Sequence, residues 1–426
     1  MNEAGDGGSA TRSALDVRTV LVPTSDPAAS AELIDLLPAD APLSWLRRGE
    51  GLVGWGVAAT VRTTGPTRFS DAAKWWAETV AAAKVDDAVE EPGTGLVCFG
   101  AFTFSDEAHV DAVDASDSVL VVPQVVVGRR GDLTWVTTIG VTSADVVVAD
   151  APAPPADLTF ADGALNGDAW MEVVADAVSR IEAGDLEKIV LARDLVATAS
   201  APIDIRWPLR RLAEDYPTCW TFHVDGLFGA TPEMLVRRER GLVTSRVLAG
   251  TIRRTGDDER DLALAAMLAH SSKDLEEHEY AVRSVAEALE PYCSSMNVPE
   301  TPFVLHLPNV LHLATDVAGV ARDGESALEL AAALHPSAAV GGTPTAVARS
   351  LITEIEGMDR GRYAAPVGWM DADGDGEWGI ALRSGVLSGT QVRLFAGCGI
   401  VGGSDPGAEL AESQAKFVPV REALGG

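Results

Sequence analysis

Short apolar runs broken by turn residues dominate the first third of the chain, at residues 17–22, 52–61, 96–104, 118–127 and 133–139. Their alternation predicts strands that neighbour one another in an antiparallel sheet, with one amphipathic helix at 71–84. Three prolines within 151–156 mark the best internal boundary. Beyond it the pattern predicts a helix at 167–183 ended by Gly184, then a strand from Lys188 to Arg193. Strands follow at 219–224, 234–238 and 247–253, helices at 258–270 and 273–289, and strands again at 363–371, 377–387 and 391–396. Strands and helices do not alternate regularly. The expectation is therefore an α+β fold of large mixed, mostly antiparallel sheets with helices packed outside. Residues 15–150 form its β-rich first half and 157–426 a second region, within one large domain.

Composition narrows the partners. Of 426 residues, 33 are Lys or Arg and 63 Asp or Glu, a net charge of −30. A surface this acidic repels nucleic acid and anionic lipid, so neither is expected as a partner, and a pocket for an anionic substrate needs local cations of its own. Cys98, Cys219, Cys293 and Cys398 are too scattered for a zinc knuckle or a disulfide framework, which points to reduced thiols in a cytoplasmic protein. Residues 1–14 are rich in Gly, Ser and Ala without an apolar core, which predicts a disordered tail and no signal peptide. No apolar run approaches the roughly 18 residues of a membrane span.

Two acidic pairs carry the candidate chemistry. Asp274 with Glu277, and Glu409 with Glu412, are each three residues apart in helical segments, so each pair shares a face with β-carbons roughly 5 to 6 Å apart. If the two helices meet, four carboxylates converge and require a cation, and hard oxygen ligands select Mg²⁺. The second pair follows the glycine-rich strand end 395–403, and Asp405-Pro406 reads as an N-cap with proline at the first helical position. Ser271 and Asp274 fit a capping box, which leaves open that Asp274 only complements the helix dipole.

Gly397, Gly399 and Gly402 fit a dinucleotide fingerprint, but no strand-helix-strand unit with a following acid surrounds them. The loop opening at Asp371 resembles an EF-hand start, yet Leu382 stands where the bidentate glutamate belongs. Lys188 shares a strand face with Val190 and Ala192. Burial there would favour its neutral amine and suit it as a base, whereas an edge position would let it reach solvent. Glu233 introduces the apolar run from Met234. A carboxyl held in apolar surroundings stays protonated and can donate, and an exposed turn glutamate is the alternative.

Seven blocks in order resemble the chorismate-utilising enzymes, and within them the isochorismate synthases. They are 188–193, 229–235, 248–251, 272–278, 335–344, 363–369 and 396–400. The resemblance implies that Mg²⁺ ties the ring carboxylate of chorismate to Glu277 and Glu412, with Asp274 and Glu409 acting through water. It implies that Lys188 activates water for attack at ring C2 and that Glu233 protonates the departing C4 hydroxyl, giving isochorismate for menaquinone or siderophore biosynthesis. Arg383 and Tyr363 would hold the enolpyruvyl carboxylate. Gly250, Thr251, Gly397 and Gly399 would line the site, with Lys416 and His312 facing it. Lys416 also fits an ordinary pair with Glu412, and His312 a core histidine. Salicylate synthases, which go on to eliminate pyruvate, and a chorismate-binding relative without turnover are the alternatives. Members of this family are often monomeric, so a monomer is expected.

Overall fold

The computed structural model describes residues 14–106, 117–307, 310–322 and 324–425, without the side chains of Lys273 and Glu277. The expected tail therefore lies, but for Ala14, outside the described residues. Among those residues the strands form one 13-stranded and one 10-stranded sheet. Asp16–Leu21 runs parallel to Lys84–Asp87; the long ladders of both sheets are antiparallel. The two sheets pack face to face. Trp45, Phe222 and Leu227 of the larger meet Phe99, Val236, Val367 and Trp378 of the smaller in one buried cluster, whose apolar area removed from water is the main stabilising term. Helices cover the outside: Ser272–Leu289 lies on the smaller sheet, and Pro406–Leu424 on the strand Gln391–Ile400 of the larger. No helix among the described residues is long and apolar enough to cross a membrane.

Strands from both sides of the proline-rich 151–156 segment share each sheet. Trp220–Val224 pairs with Leu43–Arg47, and Pro366–Asp371 with Val97–Ala101. Three runs expected as single strands are each split between the sheets. Glu50–Trp55 belongs to the larger sheet and Ala59–Thr63 to the smaller, separated at Gly56, whose φ is 68°. Ser118–Val122 and Val125–Arg130 part at Pro123, and Gly376–Ile380 and Ser384–Ser388 part at Arg383. Apolar alternation continues through such a corner, because the chain leaves one buried face directly for another. The expected strand at 363–371 is shorter too, with Tyr363 in the turn before Pro366–Asp371.

Candidate active site

Two sheet-to-sheet crossings lie side by side and deliver opposite charges. Leu227–Thr231 is in the larger sheet and Met234–Glu239 in the smaller; the link between them is Pro232 and Glu233. The Glu233 backbone amide donates to Thr231 Oγ1 at 3.2 Å and its carbonyl accepts from Ile380 at 3.1 Å. Arg383 occupies the neighbouring crossing with φ 49°, and its carbonyl accepts from Ala230 at 3.2 Å. The left-handed region costs a non-glycine residue roughly 1 to 2 kcal/mol. Such strain persists only where surrounding structure fixes it, and it gathers at sites of function.

Lys188 opens the strand Lys188–Thr198, which pairs with Gln391–Ile400 so that Val190 faces Gly399 and Ala192 faces Gly397. As the two-residue period requires, Lys188 and Val190 look into the same cavity. Tyr363 stacks on Phe395 with ring centroids 5.1 Å apart. Any side chain at Gly397 would press within 3.2 Å of the Tyr363 hydroxyl. On the opposite wall the strand Leu242–Arg253 is irregular at Gly250, where φ is 75°, and Thr251 Oγ1 lies 3.0 Å from His312 Nδ1 on the paired strand. A side chain at Gly250 would come within 3.2 Å of Asp274 Cβ; the bare backbone lets that helix approach.

The result is a cavity of about 220 Å³. Lys188, Glu233, Gly250, Thr251, Asp274, His312, Tyr363, Arg383, Gly397, Gly399, Glu409, Glu412 and Lys416 all line it. Glu277 lies on the same helix as Asp274, with its side chain outside the described residues. Lys188 is 8% and Glu233 6% exposed, so neither the solvent-reaching lysine nor the exposed turn glutamate describes them. Asp274 stands in the first turn of its helix, where Ser271 Oγ caps its amide at 3.3 Å, and it also lines the cavity. Lys416 does likewise, pairing with Glu412 at 2.6 Å and donating to the Gly397 carbonyl at 2.9 Å. Ala339, Val340, Val401 and Ser404 are among the other lining residues; small or apolar residues in loops carry no chemical signal in a sequence.

Electrostatics divide the lining groups. Burial pushes the Glu233 carboxyl up to about 8, against the opposing pull of Lys188, Lys416 and Arg383. Burial, reinforced by Arg383 and Lys416, lowers His312 to about 3, so its imidazole is neutral. The Tyr363 phenol is raised by burial to about 12. Burial would also raise Glu412, but Lys416 and Arg383 hold it below the ordinary value. For Lys416, burial opposes the charge and the adjacent Glu412 carboxylate outweighs it. Arg383 Nη1 and His312 Nε2 are buried with no hydrogen-bond partner among the described residues. Orphaned polar groups in a lined cavity cost about 1 to 3 kcal/mol each, which a ligand that pairs with them would recover.

Cys398, Glu409 and Glu412 place potential ligand atoms within 4.8 Å of one another. Sulfur drops out of this set, because burial pushes the Cys398 thiol well up and it donates to the Glu409 carbonyl at 3.4 Å. Two carboxylates with Asp274 on the same cavity leave hard oxygen donors. That set fits a small divalent cation such as Mg²⁺ and suits softer metals poorly.

Residues 19–425 match a family model described as chorismate binding enzyme. The isochorismate synthase MenF of Bacillus subtilis is 35% identical over 344 residues, spanning 80% of this chain and 73% of that protein. A solved structure assigned as the 2,3-dihydroxybenzoate-specific isochorismate synthase DhbC of Bacillus anthracis aligns with a TM-score of 0.76 and 32% identity, over 92% of this chain and 98% of that one. The menaquinone-specific isochorismate synthase MenF of Escherichia coli gives a TM-score of 0.79 over 96% of this chain and 94% of that one. At 23% identity, that is a likeness of fold.

Proposed function

The chain belongs to the chorismate-binding enzymes, and on that premise we propose that it isomerises chorismate to isochorismate with Mg²⁺. The observation that carries this function is the meeting, in one cavity, of a buried lysine with a carboxyl that burial keeps protonated near neutral pH. Lys188 takes a proton from water as that water attacks ring C2. Glu233 gives its proton to the C4 hydroxyl, which leaves as water while the ring double bonds shift between the two carbons. One water enters and one departs. Glu233 is matched to the task of acid because its surroundings, and not its identity, hold its proton.

The rest of the lining binds and orients. Arg383, with its free Nη1, and Tyr363 hold the enolpyruvyl carboxylate, for which the planar guanidinium suits a bidentate grip. His312, kept neutral, uses its unpaired Nε2 on the substrate while Thr251 fixes the ring. Asp274, Glu277, Glu409 and Glu412 would hold Mg²⁺, which when bound neutralises the ring carboxylate beside these acids. Four free, buried cysteines support a cytoplasmic setting, and a monomer is the working assembly state.

Incubation of the protein with chorismate and Mg²⁺, followed by chromatography, tests the function. We expect a mixture of chorismate and isochorismate whose ratio is the same from either starting compound, little pyruvate, and no reaction in chelator. Stoichiometric pyruvate would reassign the chain as a salicylate-forming relative, and untouched chorismate would reduce it to a binding protein.

A further inference from the structure

The edge of the Lys188–Thr198 strand that faces away from Gln391–Ile400 is covered in an unusual way. The two-residue strand Gly342–Thr343 pairs with Lys188 and Ile189, and Thr159–Asp162 pairs with Leu195 to Thr198. Among the described residues the stretch between them has no strand beside it, and backbone groups left there without partners would be costly. Side chains fill the gap. Glu356, the C-cap of the helix Thr345–Ile355, accepts from the Ala192 amide at 2.7 Å. Arg360 donates to the Val190 carbonyl at 2.7 Å and to the Val340 carbonyl at 2.9 Å. Glu356 and Arg360 are bound to each other, with side chains 0% and 2% exposed.

A buried ion pair is a poor choice for stability alone. Well-packed apolar residues of similar size commonly serve as well or better, because taking two charges out of water is costly. What the pair offers is geometry. The guanidinium fork ties together the residue two places beyond Lys188 and the loop that carries Val340, and both Lys188 and Val340 line the cavity while neither Glu356 nor Arg360 does. The Arg360 guanidinium is further fixed by a ring contact, its Cζ standing 4.2 Å from the Phe104 centroid.

We infer that the Glu356–Arg360 pair is a positioning device that sets Lys188 against the Val340 wall of the cavity, so that turnover depends on it more than substrate binding does. This rests on the function proposed above. Misplacement of a reacting group by about 1 Å can cost roughly a hundredfold in rate.

Arg360→Lys, which keeps the charge and removes the fork, is the test. We expect a folded protein whose kcat falls at least about tenfold with KM for chorismate within about twofold. A second readout needs no substrate: labelling by an amine-reactive reagent, followed by peptide mass spectrometry, should speed up at buried Lys188 and stay unchanged at exposed Lys84. A merely structural pair would lower the melting temperature and leave kcat, KM and Lys188 labelling of the folded protein as in the wild type, which would overturn the inference. If Arg360→Lys does not fold, the apolar double variant Glu356→Met with Arg360→Met takes its place. Lowered kcat and faster Lys188 labelling in it support the positioning role, and wild-type values of both overturn it. Should the wild type itself leave chorismate untouched, the proposed function falls, and the labelling comparison still decides the positioning role.

Discussion

Glu233 and Glu412 line one cavity, yet the fold pushes their acidities in opposite directions. Glu233 sits on the strand side, at a crossing between the sheets, and burial raises it to about 8. Glu412 sits on the helix side, where Lys416 at 2.6 Å outweighs burial and holds it down. The strand floor keeps a proton to give, and the helix wall keeps negative charge for a cation. One residue type serves two purposes because at Glu233 burial outweighs the pull of Lys188, Lys416 and Arg383, whereas at Glu412 Lys416 and Arg383 outweigh burial.

The sharpest way to break this comparison is to remove the proton. Glu233→Gln should lower kcat roughly a thousandfold, as loss of general acid catalysis does, and Lys188→Ala should do the same, with circular dichroism unchanged in both. Activity near the wild-type level in either would take that residue out of the chemistry. On the helix wall the effect should be smaller and of a different kind. Glu409→Ala or Glu412→Ala should raise the Mg²⁺ concentration for half-maximal activity at least about tenfold, read from a metal titration, and saturating metal should restore much of the rate.

Stability should follow the same division. Folded Glu233 holds its proton up to about pH 8, whereas an unshifted carboxyl releases it near 4.5. The stabilisation is therefore complete below pH 4.5 and is lost as pH rises to about 8. Relative to wild type, Glu233→Gln should gain stability across that window and level off above it, by a few kcal/mol at most, read from denaturant unfolding at a series of pH values. A gap that does not change with pH would place the shift elsewhere. The smallest effect belongs to Thr251→Val, which loses the 3.0 Å contact to His312 and should cost about 1 kcal/mol in binding, seen as a few-fold rise in KM.

The helix wall was easier to read from sequence than the strand floor. Spacing of three within a helix fixes a shared face, so Glu409 and Glu412 could be paired from their numbers alone, and Asp405-Pro406 marks where their helix begins, as the Asp405 cap on Ala408 shows. The strands at 43–47, 227–231 and 310–321 were not anticipated, nor the crossings at Gly56, Pro123 and Arg383. A corner between two packed sheets leaves no break in an apolar run, and its partner strand can lie hundreds of residues away. Lys188 and Glu233 drew attention as charges embedded in apolar runs, and Arg383 only through the family resemblance. Glu356 and Arg360 drew none, since a charged pair at i,i+4 normally marks a solvated helix face.

The difference infrared spectrum of wild type against Glu233→Gln tests the division of the cavity most directly. Near pH 7 the wild type should show the carbonyl band of a protonated carboxylic acid that the variant lacks, and that band should fade as pH passes about 8. A spectrum with no such band near neutral pH would mean that Glu233 is ionised like the acids on the helix wall, and the acid assigned to the reaction would be gone.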